Sequence, residues 1–178
     1  MIRYHNSEAL KNLGKIMAET TKLNSQVATS AIEQQAYQAV NENWFEYPIT
    51  VFPQDTDYSG NAWHGAYIAW LEKARVQCLR SIGVDFAELV AAGCDLPVVE
   101  ISLRYHRALR MGESAIVKAR MHNLDGVRIT WDYEIQSPER ETTYLTGIVT
   151  LVPVDREKGK ILRQLPATVK NALVWLAQ

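Results

Sequence analysis

QDTDYSGNAWHGAYIAWLEKAR, residues 54–75, changes character half-way along. Its first part crowds Asp55, Asp57, Ser59, Gly60 and His64 into one polar connection. Its second part begins an apolar repeat at three- and four-residue steps, Tyr67, Trp70, Leu71 and Ala74, continued by Cys78 and Ile82. That spacing predicts a helix with one buried stripe, Glu72, Lys73, Arg75 and Arg80 on its other sides, and Gly83 as its stop. Asp85 then caps a shorter helical piece through Ala92, ended by Gly93.

On both sides of this helix the period is two. Upstream, Tyr47, Ile49 and Val51 alternate with Pro48, Thr50 and Phe52, a strand whose proline suggests an edge or a strand start. Downstream, three alternating strands follow. The first sets Val99, Ile101, Leu103 and Tyr105 against Glu100, Ser102, Arg104 and His106; the second sets Ala115, Val117, Ala119 and Met121 against Ile116, Lys118, Arg120 and His122. The third runs Val127, Ile129, Trp131, Tyr133 and Ile135 against Arg128, Thr130, Asp132, Glu134 and Gln136. Asp125-Gly126 between the last two is a hairpin signal, so antiparallel neighbours are expected. Residues 144–152 are apolar or Thr on both faces, which suits a central or covered strand. After a turn at Lys158-Gly159-Lys160, Pro166 precedes a short terminal helix with Val169, Ala172, Leu173 and Leu176 on its stripe. Strand, long helix, four strands implies an α+β arrangement in which a curled antiparallel sheet wraps one helix. One helix cannot cover such a sheet, so oligomerisation is expected.

Residues 1–43 differ: they are rich in Ala, Gln, Asn, Ser and Thr and contain neither Asp nor Pro. Leu10, Leu13 and Met17, then Val27 and Ala31, recur at helical spacings, which predicts a helical extension ahead of a domain over 44–178. A net charge of -1 with interspersed signs provides no field for nucleic acid or an anionic membrane. No apolar run approaches the ~20 residues of a membrane span, nor the core of a secretory signal. Cys78 and Cys94 stand in no metal or redox spacing and read as buried small residues in a reducing cytoplasm.

The polar connection converges on the start of the long helix, where the first backbone N–H groups lack intrahelical partners and favour a developing oxyanion. Asp57 there can activate a water or attack as a carboxylate nucleophile. Gly60 lets backbone approach a ligand closely. Asp, Ser and Gly before a helix also serve as plain capping and turn residues, and Asp55 reads that way. A metal site from Asp55, Asp57 and His64 is a further option, though no second His or Cys stands at ligand spacing. Arg104, Arg107 and Arg110 can meet phosphates, or form a solvated strand face. His106 and His122 fall on exposed phases, and Trp63, Tyr67 and Trp70 suit a core or subunit contact.

The stretch from Asp55 to Arg75 resembles the entry signature of hotdog-fold acyl-CoA thioesterases of the 4-hydroxybenzoyl-CoA thioesterase type. That signature is D-x-D-x-x-G, a histidine or aromatic residue seven positions after the second Asp, and a helix with E-x-A-R, here Glu72, Ala74 and Arg75. VEISLRYHRALRMGE (99–113) and DREKGKILRQLP (155–166) are similar to later parts of the family, so the likeness runs from about Tyr47 to Leu173. The resemblance implies a hotdog subunit, five strands around the helix, paired into a homodimer or homotetramer. It implies hydrolysis of an acyl-CoA thioester at the dimer interface with no metal or organic cofactor. Asp57 matches the catalytic carboxylate, and His64 the residue whose backbone N–H polarises the carbonyl. Gly60, Trp63, Gly65 and Arg107 are then expected to contact substrate. Many relatives carry an aromatic residue four before that Asp; here it is Pro53. The competing expectations are a non-catalytic acyl-CoA or acyl-carrier-protein binding protein and, less well matched for want of a paired His and Asp/Glu, a hotdog dehydratase.

Overall fold

A computed structural model describes residues 44–176; the helical extension expected over 1–43 lies outside them. The elements in chain order are β1 (Phe45–Thr50), a single 3-10 turn (Pro53–Asp55), α1 (His64–Ser81), α2 (Phe86–Ala91), β2 (Cys94–Asp95), β3 (Val98–Tyr105), β4 (Ser114–Asp125), β5 (Arg128–Gln136), β6 (Thr143–Leu151), β7 (Val154–Asp155), β8 (Lys160–Ile161) and α3 (Ala167–Leu176). Five antiparallel strands form one sheet in the order β1-β4-β5-β6-β3. This is the hotdog arrangement that the resemblance implies.

β3, β4 and β5 form where the period-two pattern predicts them, and β1 forms two residues earlier than its pattern over 47–52. In β4, Ala115, Val117, Ala119 and Met121 are buried; in β5, Ile129, Trp131, Tyr133 and Ile135 are. They face the stripe of α1, in which Ala66, Tyr67, Trp70, Leu71, Ala74, Cys78 and Leu79 are buried. α1 packs on β4 and β1. Gly126 takes a positive φ of 61° in the hairpin between β4 and β5, a conformation that costs a residue with a Cβ. β1 is an edge strand, the position that tolerates exposed Pro48. β6 is internal, as the two-faced apolar run suggested. Asp85 caps α2 by accepting the Ala87 N–H at 2.8 Å. In α3, Leu173 is buried and Leu176 half-buried. Both cysteines are buried free thiols.

Three features depart from the sequence expectation. Residues 94–95, 154–155 and 160–161 form a second, three-stranded sheet in the order β2-β7-β8, from segments too short to show alternation. Strand β3 is the far edge of the main sheet and is open along its apolar phase: Val99, Ile101 and Tyr105 are 43–49% exposed, with Tyr105 at its end reaching the start of α1. Arg75, expected on a solvent side of α1, is only 4% exposed.

The Arg75 guanidinium donates to the Tyr133 hydroxyl at 3.1 Å, and its Nε is buried without a partner among the described residues. Burial pushes that hydroxyl's pKa up to about 12 against the opposing pull of Arg75, so it stays a neutral acceptor. A buried cation left without an acceptor costs far more than an ordinary hydrogen bond returns. Tyr133→Phe, which removes only that oxygen, is expected to lower stability by about 1–3 kcal/mol, read from the midpoint of urea denaturation.

Candidate active site

The connection from Asp55 to Trp63 closes on itself. Phe52 N–H donates to Asp55 Oδ2 at 3.0 Å, so Asp55 shapes the loop as expected, and Trp63 N–H donates to the Asp55 carbonyl at 3.0 Å. Asp57 N–H donates to the Asn61 carbonyl at 2.7 Å, and Gly60 N–H to the Asp57 carbonyl at 3.0 Å. Gly60 has a φ of +76°, which completes that tight turn. A second segment braces it from outside. Ala62 N–H donates to the Leu109 carbonyl at 2.8 Å, Met111 N–H to the Gly60 carbonyl at 3.0 Å, and Asn61 pairs with Arg110.

Within this frame the Asp57 carboxylate is oriented. Its Oδ1 accepts from Ser59 N–H (2.8 Å) and Asn61 N–H (3.1 Å), an Asx-type turn. Oδ2 has no hydrogen-bond partner among the described residues, and the side chain is exposed in the single chain. One oxygen is therefore fixed while the other can still reach a water or a substrate.

The start of α1 supplies the complementary group. No side chain caps the helix. Trp63 N–H is taken by Asp55 and Ala66 N–H by the Trp63 carbonyl (2.9 Å). The N–H groups of His64 and Gly65 have no acceptor among the described residues. Two adjacent amides without an acceptor among the described residues, at the positive end of an 18-residue helix, are groups that can donate to an anion. The Trp63 ring lies against Gly65, where a Cβ would come within 2.0–2.8 Å of it, so glycine allows the indole to fold back over the helix start. The His64 ring is exposed and meets Trp63 edge-on at 5.3 Å.

The three arginines do not converge. Arg104 lines a cavity of about 350 Å³ on the outer sheet face, with Trp44, Arg120, Asp132 and Ile148, away from Asp57. Arg107 follows the end of β3, its N–H bonded to the Tyr144 carbonyl at 3.3 Å. Arg110, in the bracing segment, pairs with Asn61 of the connection, its N–H held by Glu113 Oε2 at 2.9 Å. Among the described residues no three His, Cys, Asp or Glu side chains gather as metal ligands would, Asp55, Asp57 and His64 included. His106 and His122 are exposed as expected, on Thr146 and Asp132 respectively. Tyr67 is buried as expected, but its hydroxyl, which accepts Leu109 N–H at 3.0 Å, and that of Tyr105, which donates to the His64 carbonyl at 3.2 Å, had no role in the sequence reading. Their apolar phase in helix and strand was legible; their hydroxyl partners had no periodic signal.

The family model of the thioesterase-like superfamily matches residues 51–173, which spans the loop just described, α1 and β3 to β6, with β1 just ahead of it. The chain belongs to that superfamily. This thioesterase-like protein is 52% identical over 147 residues to a putative esterase of Synechocystis, covering 83% of this chain and 89% of that one. It is 28% identical over 112 residues to a putative acyl-CoA thioesterase of Bacillus subtilis, covering 63% and 80%. Its fold superposes on the crystal structure of a 1,4-dihydroxy-2-naphthoyl-CoA thioesterase from Synechocystis with a TM-score of 0.69 at 21% identity, covering 76% of this chain and 98% of that one. Membership makes the thioesterase-like protein a thioester hydrolase by class, and none of its described helices is long and apolar enough to cross a membrane.

Proposed function

We propose that the protein hydrolyses an acyl-CoA thioester to free acid and CoA, with Asp57 and the first amides of α1 as its machinery. The observation that carries this reading is the presence, within one short connection and the helix start that follows, of a carboxylate with one oxygen fixed and the other without a partner among the described residues, and of two amides likewise without an acceptor there. The thioester carbonyl accepts from His64 N–H and Gly65 N–H, which makes its carbon electrophilic. By one route Asp57 takes a proton from water, and the hydroxide adds to the carbonyl carbon. By the other, Oδ2 itself adds, giving a mixed anhydride that water opens. In both, the carbonyl electron pair moves to oxygen under the two N–H groups and returns to break the C–S bond, releasing CoA as thiolate. Gly60, Trp63, Gly65 and Arg107 contact the substrate in this reading, Trp63 on the acyl side and Arg107 at the CoA phosphates. The open inner face of β3 fits a second copy of the chain, as a homodimer or homotetramer with the site at the seam. Two free buried cysteines fit a cytoplasmic setting.

A thiol-release assay over aromatic, short-, medium- and long-chain acyl-CoA tests the proposal. Release with at least one class is expected. Saturable binding across the panel with no thiol released would make the chain a non-catalytic acyl-CoA binding protein instead.

A further inference from the structure

The Tyr105 hydroxyl reaches 41 residues back along the chain to donate to the His64 carbonyl at 3.2 Å. That carbonyl belongs to the same planar peptide unit as the N–H of Gly65, which has no acceptor among the described residues. A donor on the oxygen of an amide polarises it and strengthens the N–H as a donor in turn. It also fixes the plane of the unit at the point where a helix otherwise frays.

Tyr105 is itself held. Its ring meets the Tyr67 ring edge-on at 5.3 Å. Tyr67 is 2% exposed, and its hydroxyl is tied to the Leu109 backbone, which bonds in turn to Ala62, two residues ahead of α1. Two residues earlier on β3, Leu103 occupies the space that a Cβ on Gly147 would take, 2.3 Å from its Cδ2, so the strand is seated closely on β6.

We infer that Tyr105 is a positioning residue for thioester hydrolysis, acting through the His64–Gly65 peptide and making Gly65 N–H, beside His64 N–H, a donor to the oxyanion. The inference rests on the function proposed above. It differs from a substrate-binding role because the hydroxyl is spent on backbone. It also ties the edge strand β3 to the chemistry.

Tyr105→Phe keeps the ring and its contact with Tyr67 while removing the hydroxyl. A fall of about tenfold in kcat with KM within about twofold is expected, the scale of one hydrogen bond and well below the ~10²–10³-fold of a lost oxyanion donor. The thermal midpoint should stay in place. Raman spectra of an acyl-CoA bound to Asp57→Asn protein supply a signature that a structural role would not move. The thioester C=O stretch should lie below its solution frequency, and adding Tyr105→Phe should shrink that downshift. A raised KM at unchanged kcat would make Tyr105 a substrate contact and overturn the inference, as would an unchanged kcat and an unchanged C=O stretch. Wild-type turnover in the same assay separates the two readings: with it present, these results sink the inference alone; without it, function and inference fall together.

Discussion

Asp57→Asn is expected to lower kcat for thiol release by about 10²–10⁴-fold, the range for removal of a positioned acid–base group. The substitution is nearly isosteric. Its amide oxygen can replace Oδ1 as acceptor for the Ser59 and Asn61 N–H groups, so the turn and the start of α1 should keep their shape. What disappears is the charge and basicity of Oδ2, the carboxylate oxygen of Asp57 without a partner among the described residues. A circular-dichroism melt matching the wild type, beside a lost reaction, would separate chemistry from folding. Unchanged turnover would remove Asp57 from the mechanism and leave the helix amides to account for the rate alone.

The largest effect on stability is expected at the centre of the sheet. Trp131 in β5 is 1% exposed, lies between Met121 of β4 and Val149 of β6 in register, and stacks on Tyr133 at 6.5 Å between centroids. Truncation to Ala removes an indole from a site that neighbouring strands cannot collapse to fill, since the ladder holds them apart. Trp131→Ala is expected to cost about 3–5 kcal/mol, read as a shift in the urea midpoint at unchanged slope. A loss under 1 kcal/mol would mean that the concave side of the sheet is not closely packed on α1.

These two positions differ in how they could be read from the chain. Trp131 lies in an unbroken alternation of apolar and polar residues, and burial follows from period two alone. Asp57 looks the same in sequence whether it caps a turn or performs chemistry; in the structure Oδ1 closes the turn, and Oδ2, with no partner among the described residues, is the atom on which the proposed chemistry rests. The arginines show the opposite error. Arg104, Arg107 and Arg110 are near neighbours in sequence, yet alternation and the end of β3 send them to the outer face, the strand end and the Asp57 connection. Arg75 has the composition of a surface residue, but a tyrosine 58 positions away gives it a buried acceptor.

Local order along the chain by itself determined the helix and the alternation of the long strands, because each is written in repeats of two or of three and four residues; the order of the strands in the main sheet and the short strands β2, β7 and β8 came only with pairing between distant segments. Tertiary structure alone decided which polar atoms meet: Tyr105 with His64, Arg75 with Tyr133, Leu109 with Tyr67. Such bonds join residues tens of positions apart. They exist only where the sheet and the helix are brought together, and nothing in the spacing of either partner records the other.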